Sequence, residues 1–404
     1  MAKIAVLGYG TVGSGVVELM ETNAATIAEN TGEAIDVKYI LDIRDFSNDK
    51  NASKFVKDFS VIENDPEISV VVETIGGTNP AYDFTKRALL AGKNVVTSNK
   101  ELVAKHGAEL IAIAKERNLN YLFEASVGGG IPIIRPIAQC LAANELDEIY
   151  GILNGTTNYI LTRMIKGGLT FEKALAEAQE KGYAERDPSA DIEGHDACRK
   201  ICILASLAFG RHIYPDFIST EGITKVTLED VRLAESAGYV IKLLGRAKLG
   251  EDGKVYAFVG PHLVKKETPI ASVEDVYNGI MVHGNMIGNV MFYGAGAGKY
   301  PTASAVSADV IDAVKHIKAR KYLDWKDAGK EAVGDMSKFV SRFYVRIAGE
   351  NARSAAAQAF GDVEFADNGH DTAFITVPVS QAEFDEKLLH LEEKCKVMSK
   401  MRVL

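Results

Sequence analysis

Residues Lys3–Gly13 read KIAVLGYGTVG: an apolar run that breaks into three spaced glycines, with helical character following over Ser14–Met20. A run this short and apolar, stopped by glycine, has the pattern of a buried strand. Gly8 permits a tight turn, Gly10 lets a pyrophosphate approach the backbone, and Gly13 lets the helix pack close to the strand. The helix N-terminus behind them presents N–H groups and a positive dipole end to an anion. A lone G-x-G-x-x-G is weak, but between a strand and a helix it predicts a dinucleotide-binding turn rather than a plain glycine-rich one.

Working outward, a second strand is expected at Asp36–Leu41, ending beside the adenosine ribose. Asp42 there suits the ribose hydroxyls of NAD, and Arg44 suits the 2′-phosphate of NADP, so the sequence leaves the cofactor as NAD or NADP. Lys54 and Lys57 either help with that phosphate or form a solvated helix face. Further strands are expected at Ile68–Thr74, Asn94–Thr97 and Leu119–Phe123, with a helix at Tyr82–Ala91. Strands alternating with helices imply a parallel, doubly wound α/β sheet whose ligands gather at the carboxyl ends of the strands. Lys100 and Glu124 both follow such ends.

The chain is 404 residues long, enough for two or three domains, with 47% hydrophobic and 25% charged residues. Those values exclude a disordered, collagen-like or disulfide-scaffold protein. Lys and Arg number 46 and Asp and Glu 55, a formal net charge of −9 with no basic block, so nucleic acid and anionic membrane surfaces are poor partners. Four cysteines without a C-x-x-C pair suit a reducing compartment. The longest apolar stretch, Ile201–Phe209, is about half the ~20 residues of a membrane span, and a cytoplasmic location is expected.

The middle of the chain carries two polar groups. Asn154-Gly155-Thr156-Thr157-Asn158 follows an expected strand at Glu148–Leu153, with Thr156 or Thr157 as the expected helix cap. Gly182–Lys200 (GYAERDPSADIEGHDACRK) is the densest polar stretch and runs into the apolar helix Ile201–Phe209. Asp196 and Lys200, four apart, share a face that continues through Leu204 and Leu207. Such a pair on a buried stripe needs a partner or a ligand for each ion, which describes both a structural ion pair and a catalytic one. With Glu185 and Asp191 just before it, the group suits a small zwitterion: carboxylates for an ammonium and a hydroxyl, lysine for a proton. Cys198 and Cys202 are expected in the core, because no histidine pair stands at ligand spacing.

Taken together these motifs resemble homoserine dehydrogenases. The resemblance is carried by GYGTVG (Gly8–Gly13), TSNK (Thr97–Lys100), EASVGGGIP (Glu124–Pro132), NGTTNYIL (Asn154–Leu161), the Gly182–Lys200 stretch and FYGAGAGKYPTASAVSADV (Phe292–Val310), over about residues 1–330. It implies NAD(P)-dependent interconversion of L-homoserine and L-aspartate 4-semialdehyde, on the route to threonine, methionine and isoleucine. It implies Lys200 as the proton donor in reduction, with Lys100 as a second catalytic lysine, the choice between them open. Glu185, Asp191, Asp196, Tyr183 and Thr156 would line the substrate. Gly8, Gly10, Thr11, Val12, Gly13, Arg44, Ile75, Ser98, Lys100, Gly182 and Gly298 would touch the dinucleotide. Backbone carbonyls of Glu124, Val127, Gly129 and Ile131 would hold a monovalent cation, sodium in the usual case.

The resemblance also implies domains: a Rossmann-type cofactor domain over residues 1–130 completed by about 290–330, and an α+β substrate and dimerisation domain over 131–289. Residues 340–404 alternate as β-α-β-β-α-β, a ferredoxin-like order similar to the ACT regulatory domain of many such enzymes. The turn after its first strand, Gly349-Glu350-Asn351-Ala352-Arg353, lacks the Asp-x-Pro-Gly of that family's effector site, so oligomerisation is as good an expectation as threonine feedback. A homodimer or homotetramer is expected. Two other functions fit parts of the pattern: a cysteine-dependent aldehyde dehydrogenase, and a non-catalytic dinucleotide-binding sensor with a regulatory C-terminal domain.

Overall fold

The computed structural model describes residues 1–319, 321–367 and 372–404. They form two units: Met1–Glu145 with Cys202–Pro215 and Gly294–Lys330, and Leu146–Ile201 with Asp216–Tyr293 and Glu331–Leu404.

The first unit is built on six parallel strands: β1 (Ala2–Leu7), β2 (Ile35–Leu41), β3 (Phe55–Val56), β4 (Ile68–Glu73), β5 (Asn94–Thr97) and β6 (Tyr121–Leu122). Their order is β3-β2-β1-β4-β5-β6. The order reverses at β1, which opens a ligand crevice at the carboxyl ends of β1 and β4. β1, β4 and β5 are apolar runs buried on both faces, as parallel strands covered by helices require. Register brings Leu7 opposite Leu41 on one side and Glu73 on the other, so Gly8, Asp42 and Thr74 emerge together. The helix Lys299–Lys315 packs on the helix Thr11–Thr22 at Gly15, where an added Cβ would lie 3.0 Å from Lys299 and 3.1 Å from Ala303.

The second unit carries β7 (Leu146–Ile152), β8 (Ser219–Thr220), β9 (Tyr239–Leu249), β10 (Val255–Lys265), β11 (Tyr277–Gly284), β12 (Gly288–Ala295), β13 (Val340–Ala348), β14 (Val363–Asp367), β15 (Thr372–Thr376), β16 (Val379–Ser380) and β17 (Lys396–Val403). Nine of them run in the order β12-β11-β7-β9-β10-β17-β13-β15-β14, with β8 on β10 and β16 on β13. The C-terminal segment has the expected β-α-β-β-α-β order, its helices being Ala352–Phe360 and Gln381–Glu392. Where three domains were expected, there are two units. Residues 340–404 continue the sheet of the second unit because β17 pairs in parallel with β10.

Lys242 on β9 is 2% exposed among apolar neighbours, its ammonium donating to the Val273 carbonyl and, at 3.4 Å, to Asn158 Oδ1. Burial pushes its pKa down to about 8. The unfolded chain binds that proton near pH 10.4, more tightly than the folded one. The stability contribution is therefore fully present above about pH 10.4 and is lost as pH falls to about 8, a cost of ~3 kcal/mol below that. Lys242→Met removes the buried charge, and the Val273 carbonyl keeps the Asn158 amide at 3.3 Å. The variant is expected to gain ~1–3 kcal/mol at neutral pH and to lose the pH 8–10 dependence, measured by denaturant titration across that range.

Candidate functional site

At the carboxyl edge of the first sheet, Gly8 has φ +89 and its N–H donates to the Leu41 carbonyl at 2.8 Å. A Cβ on Gly13 would stand 1.9 Å from the Gly8 carbonyl oxygen and 2.7 Å from Thr74 Oγ1, so only glycine lets the Thr11–Thr22 helix start this close to β1. A Cβ on Gly10 would meet nothing within 4 Å, which leaves open space over the turn where Thr11 and Val12 begin the helix. Ile75 leaves β4, its N–H donating to Glu73 Oε1 at 2.7 Å. Ser98 leaves β5, its N–H donating to the Glu73 carbonyl at 3.3 Å. Asn99 caps the helix Lys100–Glu116, of which Lys100 is the first residue. Gly298, φ +125, precedes the helix that packs on Gly15.

Glu73 was not singled out from sequence. It is fully buried, accepts from Thr97 Oγ1 at 2.6 Å, and so ties the ends of β4 and β5 together. Burial pushes its carboxyl up. The only sequence sign is an acid ending the run ISVVVE.

Asp42 and Arg44 act as a pair. Asp42 accepts from the Tyr9 N–H at 2.8 Å, from the Arg44 N–H at 2.9 Å, and from Arg44 Nε and Nη2 at 3.0 and 2.8 Å. The guanidinium holds the Asp42 carboxyl well below the usual carboxylate range. The Lys57 ammonium donates to the Ile43 carbonyl at 2.8 Å and also to that of Arg44, bringing a second cation to this corner.

In the Glu124–Ile131 loop, Gly128 and Gly129 have φ +73 and +55. The Gly128 carbonyl accepts from the Ile131 N–H at 2.9 Å. No hydrogen bond among the described residues reaches the carbonyls of Val127, Gly129 or Ile131, all three residues buried. A carbonyl set of this kind fits a hard monovalent cation. The Glu124 carboxylate is engaged elsewhere: it accepts from the N–H groups of Ile133, Ile134 and Arg135 at 2.6, 2.7 and 2.9 Å. Asp309, also unmarked in the sequence, accepts from the Glu124 N–H at 2.7 Å and from Arg135 at 2.8 Å.

In the second unit, Asn154 ends the stretch after β7 and caps the helix Gly155–Gly167, its Oδ1 accepting from the Thr157 N–H at 2.9 Å. The expected cap at Thr156 or Thr157 is thus corrected: asparagine takes the position because its amide caps with oxygen and keeps two N–H donors. Those donors reach Asp191 Oδ1 at 2.6 Å and Asp196 Oδ2 at 2.9 Å. Lys200, on the helix His195–Phe209, donates to the same Asp196 Oδ2 at 2.7 Å and to the Leu153 carbonyl at 2.8 Å. Asp196 and Lys200 are 3% and 8% exposed. One amide therefore joins two carboxylates and, through them, a buried ammonium. Asn154 is the residue the sequence reading passed over, although the N-G-T-T pattern marks an N-cap.

Thr156 Oγ1 donates to the Tyr183 carbonyl at 2.6 Å and fixes the Gly182–Pro188 turn. Tyr183 packs edge-on against Tyr159 at 5.0 Å. Glu185 and Gly182 are exposed in that turn, Gly182 with φ +73 and the Glu185 carbonyl accepting from Gln179 at 3.1 Å. Cys198 and Cys202 are buried in the core, as expected, and neither is in a disulfide. No helix among the described residues is long and apolar enough to cross a membrane.

Two family models cover most of the chain: "Homoserine dehydrogenase, NAD binding domain" over residues 8–124 and "Homoserine dehydrogenase" over 132–311. The homoserine dehydrogenase of Synechocystis is 45% identical over 319 residues, 77% of this chain and 73% of its own length. That of Pseudomonas aeruginosa is 45% identical over 314 residues, 78% of this chain and 72% of its own. The crystal structure of a homoserine dehydrogenase from Thiobacillus denitrificans superposes with a TM-score of 0.91 at 34% identity, covering 100% of this chain and 98% of that one. A hyperthermophilic archaeal homoserine dehydrogenase in complex with NADPH gives a TM-score of 0.67 at 27% identity, covering 80% of this chain and 99% of that one. The chain belongs to the homoserine dehydrogenase family.

Proposed function

We propose that the Asn154–Asp196–Lys200 cluster carries the proton half of the reaction and that NADP is the preferred cofactor. The enzyme is an NAD(P)-dependent oxidoreductase that interconverts L-homoserine and L-aspartate 4-semialdehyde. When bound, the nicotinamide supplies or accepts the hydride at the carbinol carbon. Lys200 gives its proton to the carbonyl oxygen in reduction and takes it back in oxidation. Asp196 accepts from the Lys200 ammonium and orients it, and Asn154 keeps Asp196 and Asp191 at fixed spacing. Glu185 and Asp191 receive the substrate ammonium, and Thr156 and Tyr183 shape the turn between them. Lys100 assists at the nicotinamide end. The observation that carries this reading is the buried ion pair Asp196–Lys200 at 2.7 Å, oriented by an asparagine rather than left to solvent.

The corner at β2 supports NADP. A carboxylate has about four acceptor sites, and Asp42 already takes four hydrogen bonds, which disfavours the ribose hydroxyls. Arg44, with Lys57 beside it, is left to meet a 2′-phosphate. The NADPH found in the archaeal relative fits that choice. Arg44→Ala is expected to raise the KM for NADP about 10- to 100-fold, the loss of one charge-assisted contact, and to leave the KM for NAD unchanged or lower, because two acceptor sites on Asp42 are freed for the ribose. Steady-state kinetics with both cofactors test it; wild-type preference for NAD would overturn it.

We further infer a sodium ion on the carbonyls of Glu124, Val127, Gly129 and Ile131, in a supporting rather than redox role. A homodimer or homotetramer is supported by the sheet-edge strand β12 and the hairpin leading into it, with Met286 85% and Tyr293 56% exposed. A cytoplasmic location fits four cysteines that form no disulfide.

A further inference from the structure

Glu73 closes β4 at the carboxyl edge of the first sheet and is fully buried. Its Oε1 accepts from the Ile75 N–H at 2.7 Å and its Oε2 from the Thr97 hydroxyl at 2.6 Å. The Thr97 oxygen in turn accepts from the Asn99 N–H at 2.9 Å, so its own proton turns to Glu73. Asn99 donates to the Gly77 carbonyl at 2.6 Å and caps the helix Lys100–Glu116, accepting from the Leu102 N–H at 3.0 Å. The groups bonded to Glu73 are neutral donors. A carboxylate accepts all of them, whereas a carboxylic acid would turn its O–H on a donor. Burial pushes the carboxyl up, and these bonds, with the Gly76 N–H and the Asn99 side chain, pull it back toward the anion.

A dinucleotide crosses such a sheet at the point where the strand order reverses. With the adenosine at Asp42 and Arg44 after β2 and the pyrophosphate on the glycine turn after β1, the nicotinamide end falls to the next strands, β4 and β5. The turn after β4 leaves room for it, since a Cβ on Gly76 or Gly77 would meet nothing within 4 Å. Among Gly8–Gly13, Glu73–Gly77 and Thr97–Lys100, the segments along this edge, only Glu73 and Lys100 carry charge. Lys100 and the positive end of its helix oppose a cation nearby, and Glu73 offsets them. The nicotinamide ring is a cation in NADP⁺ and neutral in NADPH, so the two forms differ by one full charge at this place. A buried carboxylate acts strongly on a neighbouring charge because little water screens it.

We propose that Glu73 sets the redox preference of the dinucleotide site: its buried carboxylate at the ends of β4 and β5 stabilises the oxidised, cationic nicotinamide and so favours NADP⁺ over NADPH. This preference rests on the dinucleotide reading of the edge and not on the choice of NADP, because the nicotinamide is the same in NAD.

The test is isothermal calorimetry on the full chain without homoserine, with NADP⁺, NADPH, NAD⁺ and NADH, in the wild type, Glu73→Gln and Thr97→Val. The wild type is expected to bind NADP⁺ at least as tightly as NADPH. Glu73→Gln is expected to raise the ratio of the Kd for NADP⁺ to that for NADPH about 5-fold or more, and the NAD⁺ to NADH ratio by a similar factor. Thr97→Val keeps the charge and breaks the tie between the strands; it is expected to weaken both forms together, with the ratio within about 2-fold of wild type. A merely structural Glu73 would move both affinities alike. An unchanged ratio in Glu73→Gln, a ratio that moves as far in Thr97→Val as in Glu73→Gln, or a wild type that prefers NADPH would overturn the proposal. The wild-type measurement decides the matter if Glu73→Gln does not fold. Binding of none of the four would instead overturn the dinucleotide site itself.

Discussion

Replacing Lys200 by alanine is expected to lower kcat for homoserine oxidation by about 10²- to 10⁴-fold, the range for loss of a positioned acid or base. The amine is 8% exposed and held by Asp196 Oδ2 and the Leu153 carbonyl, so bulk water is a poor replacement for it. Removing it also strands the Asp196 carboxylate, and a broken buried pair costs ~3–5 kcal/mol of stability. Asn154 still donates to that carboxylate, which tempers the loss. Two further measurements separate chemistry from unfolding. Dinucleotide affinity by fluorescence should be unchanged in Lys200→Ala, and Lys200→Arg should recover stability without recovering kcat. If Lys200→Ala retains kcat within about 10-fold of wild type, the proton belongs to Lys100.

Gly13→Ala and Gly10→Ala should fail in opposite ways. At Gly13 the new methyl group would sit 1.9 Å from the Gly8 carbonyl oxygen, a backbone atom with no rotamer to yield. The helix must retreat from β1, at a cost at or above the ~3 kcal/mol upper range of overpacking, and the glycine turn moves with it. Both the melting temperature and the affinity for NADP are expected to fall. At Gly10 the methyl group meets no protein atom, so stability should stay within ~0.5 kcal/mol of wild type. It does occupy the space over the helix N-terminus, and dinucleotide affinity should drop about 10-fold or more. Equal melting temperatures for the two variants would contradict the close helix–strand contact.

The parts legible in the sequence are those where one local rule decides. KIAVLGYGTVG gave its strand and turn because burial on both faces and glycine spacing leave few alternatives. Asn94–Thr97 matched to the residue, and Asp196 and Lys200 met as helical spacing requires. β9 and β10 went unread: β10 is buried at every position but its last, so it has no alternation to betray it. The joining of residues 340–404 to the second sheet depends on β10 pairing with β17 across some 140 positions, which no local pattern encodes. In the site, charged residues drew attention and Asn154 did not, although its amide gathers the cluster. Glu73, Asp309 and the four bonds on Asp42 likewise depend on neighbours distant in the chain.

The central claim is that a dinucleotide-binding sheet and the Asn154–Asp196–Lys200 cluster together oxidise homoserine. The most direct measurement mixes the purified full-length protein with L-homoserine and NADP and follows the absorbance of the reduced nicotinamide, with Asn154→Ala run alongside. The account predicts homoserine-dependent formation of NADPH by the wild type, and at least a 10-fold lower kcat in Asn154→Ala with unchanged NADP affinity. No homoserine-dependent signal with either NADP or NAD, or an Asn154→Ala variant as active as the wild type, would contradict it.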